Sequence, residues 1–138
     1  MSETAVIHPN EKAFVPTAII AIAAWLVPGL GHVLLRRWGR GVVFFVGVGC
    51  LAYTGAHLRG IVFPLHLGTY SSDPLAFLGG IGDAGSGIFY RMARFIEKAG
   101  PDVSRAAGDY GTKFIAAAGV ANYLCVVDAI EIARGRKD

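Results

Sequence analysis

Three histidines lie within or beside the most apolar stretches of the chain: His32, His57 and His66. A neutral imidazole in an apolar environment can bind a haem iron or a chlorophyll magnesium, because burial disfavours the charged imidazolium. Each histidine stands alone, and the separation of nine positions from His57 to His66 matches no common metal-ligand spacing. Two interpretations stay open: these side chains bind a cofactor such as chlorophyll or haem, or they hydrogen-bond neighbouring helices.

A second group of charged residues flanks the apolar stretches. Asp128 and Glu131 are three positions apart and therefore share one helix face. Ionisable groups inside a membrane are costly and often functional, but these two lie near the end of their stretch. We expect the three arginines Arg36, Arg37 and Arg40 at the same depth. An interhelical ion-pair cluster is predicted. A proton or ion path, or a solvated Glu131, are the alternatives.

The sequence contains no arrangement typical of an enzyme. No motif places a serine beside a histidine and an aspartate. The stretch GIGDAG, residues 80–85, matches G-x-G-x-x-G, but no β-α-β unit surrounds it, so we expect a flexible loop. Cys50 and Cys125 lie in apolar runs without a CxxC pair, which predicts two reduced, buried thiols rather than a disulfide or a metal site. We expect a non-enzyme.

Composition indicates the class of protein. Of the 138 residues, 54% are hydrophobic and 17% are charged, and there are 19 glycines. Soluble domains average about 45–50% apolar residues with glycine included, and about 25% charged residues. A short chain cannot bury so much apolar surface in water. The composition argues against a soluble enzyme and a disordered tail, and it predicts a membrane protein.

Apolar runs, the first two without any formal charge, predict three transmembrane helices and an all-α fold in a single membrane domain, residues 1–138. The predicted spans are residues 13–35, 41–58 and 112–133. Each has 18 residues or more, close to the length that a helix needs to cross a bilayer of about 30 Å.

Two features inside these spans concern helix packing. Pro28, Gly29 and Gly31 interrupt the first span, which predicts a hinge or a broken helix. Asn122 is the strongly polar uncharged residue of the third span, and small residues surround it. Small residues let helices approach closely, and an asparagine can hydrogen-bond across the contact. We expect some of the small-residue faces to contact another subunit or a second copy of the chain.

The basic residues predict the orientation. Arg36, Arg37 and Arg40 follow the first span, and Arg134, Arg136 and Lys137 follow the third. Cytoplasmic segments collect lysine and arginine. With three spans, both clusters are cytoplasmic when the N-terminus is outside and the C-terminus is inside. The expected location is the bacterial inner (plasma) membrane, with lipid as a bound partner and no nucleic acid.

The connection between the second and third spans, residues 59–111, is then external. Within residues 86–99, five apolar side chains recur at helical spacing, with charged residues on other faces: Ile88, Met92, Phe95, Ile96 and Ala99. This pattern predicts an amphipathic helix. It lies either in the membrane interface or against a protein surface, which can be the chain's own spans or a partner.

Two blocks of the sequence resemble a known group of proteins. The stretch PGLGHVLLRRWGRG, residues 28–41, is similar to the hinge and basic loop of small bacterial membrane proteins related to the two-transmembrane-helix domain superfamily. The block from Gly111 to Lys137 resembles the end of one such family of unknown function. The resemblance implies a membrane topology and a bacterial origin but no activity. Its pattern positions are Pro28, Gly29, Gly31, His32, Arg37, Gly39, Gly41, Asn122 and Asp128.

These observations favour a non-catalytic accessory or scaffold subunit that packs on a larger membrane protein complex. A cofactor-binding subunit of a photosynthetic or respiratory complex is an alternative that uses the three histidines. A small transporter or channel is a weaker alternative, because it needs oligomers and a polar seam.

Overall fold

The computed structural model describes residues 15–63, 74–96 and 106–137, and within them it is all-helical without strands. Side chains are described for all of these except residues 74–76. The helices are α1 Thr17–Leu26, α2 Leu30–Leu34, α3 Trp38–His57, α4 Pro74–Gly85, α5 Ile88–Ile96 and α6 Ala106–Ala133.

The two long helices, α3 and α6, pack together in antiparallel orientation. Their 20 and 28 residues correspond to about 30 and 42 Å of helix. A Cβ added at Gly55 of α3 would lie 2.7 Å from the carbonyl oxygen of Gly111, so glycine permits the close contact. Further along, Val48, Ala52 and Ala118 form a buried cluster. Helix α3 begins and α6 ends at the same end of the bundle, which we call the basic end. We call the opposite end the far end.

Helices α1 and α2 form a hairpin that enters the bundle from the basic end. Ile20 of α1 packs against Ala129 of α6, whereas the Trp25 carbonyl lies beside Asn122. Helix α1 therefore runs antiparallel to α6 and stops about halfway along it. The chain then turns at Gly29, whose φ of +83° is a left-handed conformation suited to glycine. Helix α2 returns along α1.

This hairpin corrects the prediction of a first span over residues 13–35. Helix α1 has ten residues, or about 15 Å of helix, and the chain reverses where Pro28 and Gly29 interrupt it. Two of the described helices, α3 and α6, are long and apolar enough to cross a membrane by length and composition. The described part of the chain therefore contains two candidate spans rather than the three predicted.

Helices α4 and α5 form a second hairpin, which enters from the far end. Gly79 of α4 faces the Phe63 ring near the end of α3, and Gly85 faces Gly119 in the middle of α6. The chain turns at Gly87, where φ is +62°. Helix α5 then runs back along α3, first with Phe89 against Gly49 and then with Ala93 in a buried cluster.

Several boundaries differ from those predicted. Residues 80–85 are not a loop but the last part of α4, because their glycines permit contact with α6. The predicted amphipathic helix begins at Ile88, and residues 97–99 lie outside the described part of the chain. Helices α3 and α6 begin at Trp38 and Ala106, earlier than the charge-free runs, because helix formation does not require the absence of charge.

Most of the small residues on the described helices pack against other helices of the same chain. Gly31 packs between Ala24 and Ala129, and Gly49 accommodates the Phe89 ring. The faces that remain exposed instead carry large apolar side chains, among them Val43, Tyr53 and Leu124. This inverted distribution, with small residues inside and large apolar residues outside, suits a helix bundle surrounded by lipid or by other proteins.

Candidate functional site

The tips of the two hairpins meet at Asn122, in the middle of α6. The Asn122 side chain is fully buried, and its Nδ2 donates hydrogen bonds to the carbonyl oxygens of Trp25, at 3.0 Å, and Gly85, at 2.8 Å. The first carbonyl belongs to α1 and the second ends α4. One amide therefore joins helix ends from both hairpins. We name Trp25, Gly85, Gly87 and Asn122 the tip junction.

Glycines make this junction possible. A Cβ added at Gly119 would collide with the Gly82 carbonyl, and one at Gly87 would collide with the carbonyl oxygen of Trp25. Beside the junction, the buried Ser86 hydroxyl donates to the Asp83 carbonyl at 2.7 Å. The Asn122 Oδ1 atom is buried and has no hydrogen-bond partner among the described residues. The junction is thus a tight polar contact surrounded by apolar helices.

A cluster of charged residues occupies the basic end. Asp128 Oδ2 lies 3.0 Å from His32 Nε2 and 3.9 Å from the Arg40 guanidinium. The Lys137 ammonium lies 3.2 Å from Asp128 Oδ1 and 2.6 Å from Glu131. The hydrogen bond to Glu131, followed by that to Asp128, raises the pKa of Lys137 above its usual value. Asp128 therefore ties α2 to α6 and to the C-terminal segment.

The His32 ring contacts two polar neighbours, one through each ring nitrogen. A carboxylate only accepts hydrogen bonds, so His32 Nε2 donates to Asp128. In a neutral imidazole the other nitrogen, Nδ1, is then an acceptor, and the Cys125 thiol lies 3.6 Å from it. Both ring nitrogens are engaged within the protein, and the ring packs 5.0 Å from that of Phe44. Binding a haem or chlorophyll through His32 would require one of these contacts to break.

The other two histidines lie apart from this cluster. His57 is exposed at the far end of α3, where its ring stacks on Tyr53 at 6.0 Å. His66 lies outside the described residues. Within residues 15–63, 74–96 and 106–137, no three histidine, cysteine or acidic side chains are grouped so that they could hold a metal ion. The structure therefore does not bring His32 and His57 together.

The cysteines differ in their surroundings. Both are free thiols, but only Cys125 is buried, whereas Cys50 is exposed on α3. The expectation that both are buried is therefore wrong for Cys50. The reason is that an apolar helix in this small bundle has only one face against the rest of the chain.

The predicted arginine cluster is divided by the turn before α3. Arg40 approaches Asp128, whereas Arg36 adopts a φ of +60° and Arg37 precedes the first turn of α3. In the described part of the chain, neither Arg36 nor Arg37 makes an ion pair. Sequence reasoning missed Lys137, because a tail residue gives no signal that it folds back.

Sequence reasoning also missed the position of His32 beside Asp128. The residues are 96 positions apart, and only the hairpin brings them together. The pair forms because Pro28 and Gly29 reverse the chain rather than kink it, and the sequence does not distinguish these two possibilities.

Helix α5 presents an unusual mixed surface. Ile88, Met92 and Phe95 are exposed, and so are Arg91 and Arg94 on the adjoining face. The face opposite packs on α3 through Phe89 and Ala93. An apolar groove of about 330 Å³ lies between α3 and α5, lined among others by Phe45, Cys50, Tyr53, Met92 and Ile96. The amphipathic helix is thus only half covered by its own chain.

Comparison with known proteins gives one result. No curated protein matches the sequence, and no solved structure matches it either. The model of one family, described as a family of unknown function (DUF6677), matches residues 19–138, which include all the helices except the first two residues of α1. The chain therefore belongs to this DUF6677 family.

Proposed function

We propose that the protein is an integral membrane protein with two spans, α3 and α6, and two re-entrant hairpins. The hairpin α1–α2 dips in from the basic end, and α4–α5 dips in from the far end. Irregular backbone is tolerated at membrane depth where protein surrounds it, as at the tip junction. Two spans also accord with the resemblance to the two-transmembrane-helix domain superfamily.

The basic residues support an orientation with the basic end of the bundle in the cytoplasm of a bacterial cell. Arg36, Arg37 and Arg40 lie at the same end of the bundle as Arg134 and the C-terminal basic residues. Helix α1 also starts at that end. The positive-inside tendency therefore favours the basic end as cytoplasmic. This orientation replaces the external N-terminus expected from three spans.

Within the membrane, the best supported role is that of a non-catalytic accessory subunit that packs on another membrane protein. The observation that carries this proposal is the exposure of Arg91 and Arg94 on α5. Phe89 contacts Gly49, close to the centre of the apolar part of α3. At about 1.5 Å per residue, Arg91 and Arg94 lie only about 3 and 7.5 Å further along the axis.

An arginine at that depth is costly against lipid. The apolar half-thickness of a bilayer is about 15 Å, and an arginine at a helix centre costs about 2.5–3.5 kcal/mol in insertion measurements. Arg94 can extend to the interface, whereas Arg91 starts deeper. A partner helix that presents a carboxylate or amide to Arg91 removes this cost. The exposed Ile88 and Phe95 beside it supply apolar contact area for that partner.

The experiment is mild-detergent purification of the tagged native protein, with mass spectrometry of what accompanies it. We expect one or more larger membrane subunits in fixed stoichiometry. Arg91→Leu should remove them, although leucine is better suited than arginine to lipid. Arg134→Leu is the matched control, because Arg134 is exposed at the basic end, and it should leave the complex intact.

Two outcomes would overturn the accessory role. The protein could purify alone or only with copies of itself. Alternatively, Arg91→Leu could keep every partner and raise the melting temperature, which is the result expected when α5 faces lipid.

A second candidate is a small transporter or channel, and the tip junction favours it. Helix ends that meet near the bilayer centre beside buried polar groups recur in transporter binding sites. In this case Arg91 would line a water-filled path formed by several copies. Ion flux into proteoliposomes distinguishes the candidates, because a flux that disappears in Arg91→Leu without any partner protein supports transport.

A further inference from the structure

A pocket of about 530 Å³ opens at the basic end, between α3 and the end of α6. It is lined by Gly39, Arg40, Val43, Phe44, Asp128 and Lys137. Its walls are of two kinds: charged groups from Arg40, Asp128 and Lys137, and apolar groups from α3. A pocket with a charged base and an apolar side suits a ligand that is itself amphipathic.

The charge of the pocket favours an anion. Both oxygens of Asp128 are already hydrogen-bonded, one to His32 and the other to Lys137. The Arg40 guanidinium lies 3.9 Å from Asp128, beyond hydrogen-bond distance, so this carboxylate does not occupy its donors. An arginine presents several N–H groups in a fixed plane that fits a phosphate group. Four more basic residues lie at this end, at positions 36, 37, 134 and 136.

The rim of the pocket distinguishes a lipid from a free anion. Val43 is 69% exposed and Trp38 is 65% exposed. Val42 and Val46 continue this exposed apolar surface along α3. Acyl chains can lie on these valines while the phosphate sits beside Arg40, and a tryptophan suits the membrane interface. A free phosphate would gain nothing from this apolar surface.

From these contacts we propose that the basic-end pocket binds the headgroup of an anionic phospholipid, with the phosphate on Arg40 and the chains along α3. The inference rests on the proposed membrane location with α3 as a span. It adds a site and a ligand class, because basic pockets between membrane helices on the cytoplasmic side suit anionic lipids.

The test is the fluorescence of Trp38 in proteoliposomes, in a Trp25→Phe background. The bilayer is phosphatidylcholine with a minor fraction of brominated phosphatidylglycerol, or of brominated phosphatidylcholine as the reference. Bromine quenches nearby tryptophan. The wild-type pocket should concentrate brominated phosphatidylglycerol roughly fivefold, the factor for about 1 kcal/mol per basic residue. In Arg40→Gln the preference should disappear, whereas the distant Arg94→Gln should keep it.

A second variant preserves every charge. A Cβ at Gly39 meets nothing within 4 Å, so Gly39→Leu can fill the pocket without disturbing the backbone. It should abolish the preference as Arg40→Gln does, and an unchanged preference in both variants would overturn the proposal. Excess inorganic phosphate should not remove the preference of the wild-type protein for phosphatidylglycerol. If phosphate does remove this preference, the pocket is a site for free anions instead. Equal quenching by both lipids would contradict the proposed lipid site but not the membrane location. Quenching by neither lipid would contradict the membrane location itself.

Discussion

Asn122 holds the two hairpins together, so its replacement should have a large effect for a single uncharged residue. The Asn122→Leu variant keeps four side-chain heavy atoms in the same branched shape, but it removes both hydrogen bonds to Trp25 and Gly85. Each bond contributes about 0.5–1.5 kcal/mol, and a buried acceptor left without a donor costs about 1–3 kcal/mol. Hydrogen bonds between membrane helices average about 0.6 kcal/mol, and we take this value as the lower limit for each of the two bonds of Asn122.

One part of the change is favourable. The Asn122 Oδ1 atom has no partner among the described residues, and leucine removes this buried acceptor. The free energy lost with the two hydrogen bonds, and with the buried carbonyls of Trp25 and Gly85 that lose a donor, is larger than that gain. We expect Asn122→Leu to lower the free energy of unfolding by about 2–3 kcal/mol, a 30- to 150-fold change in the equilibrium constant.

The assay is unfolding in mixed micelles with increasing dodecyl sulfate, followed by circular dichroism. The matched control is Tyr123→Phe, one position along α6. It also removes a hydrogen bond to a backbone carbonyl, that of Ile81 at 2.9 Å, but in an exposed setting. We expect this control to cost less than about 1 kcal/mol. A loss in Asn122→Leu that is no larger than in Tyr123→Phe would refute the idea that Asn122 joins the hairpins.

The remaining predictions concern the turns and the basic end. Gly29→Ala should destabilise the protein by about 3 kcal/mol or more, since φ is +83° and a Cβ would collide with the Gly41 carbonyl. Gly39→Ala should be neutral or stabilising by up to about 1 kcal/mol, because a Cβ there meets nothing within 4 Å. Melting temperatures in detergent check both variants. Asp128→Asn should lower the melting temperature more than Lys113→Gln, because it weakens the contacts of His32 and Lys137, while Lys113 makes an exposed i,i+4 pair with Asp109. Equal shifts would contradict a structural role for the His32 contact. Cys50→Ala should leave stability unchanged, and maleimide should modify Cys50 faster than Cys125 in detergent, because Cys50 is the exposed thiol.

The sequence predicts the long helices well, because apolar runs without charge depend only on local composition. It also singles out Pro28 and Gly29 as a break in the first run. It does not distinguish a kink from a full reversal, since this depends on whether Gly31 can pack against Ala24 and Ala129. The contact with Ala129 joins residues more than 90 positions apart and leaves no local pattern.

The second hairpin shows the same limit from the opposite side. The glycines of residues 79–87 read as a flexible loop, because glycine weakens an isolated helix. In the folded chain, Gly82 and Gly85 let α4 lie against Gly119, and packing outweighs propensity. The residue types and predicted depths of Asn122, Asp128 and Arg40 indicate packing residues. Their partners cannot be predicted from the sequence, because the chain reversals of the two hairpins determine them. These partners are His32, Lys137, Trp25 and Gly85.

In the proposed topology α1 does not cross the membrane, and the side of the membrane on which Thr17 lies separates a hairpin from a span. Single cysteines replace Thr17, Arg136 and His57 in turn, in a Cys50→Ala, Cys125→Ala background, and a membrane-impermeant maleimide is applied from each side. With a re-entrant hairpin, Thr17→Cys reacts from the same side as Arg136→Cys, and His57→Cys reacts from the other. If Thr17→Cys reacts instead from the side of His57→Cys, the first segment spans the membrane and the topology with two spans and two hairpins is wrong.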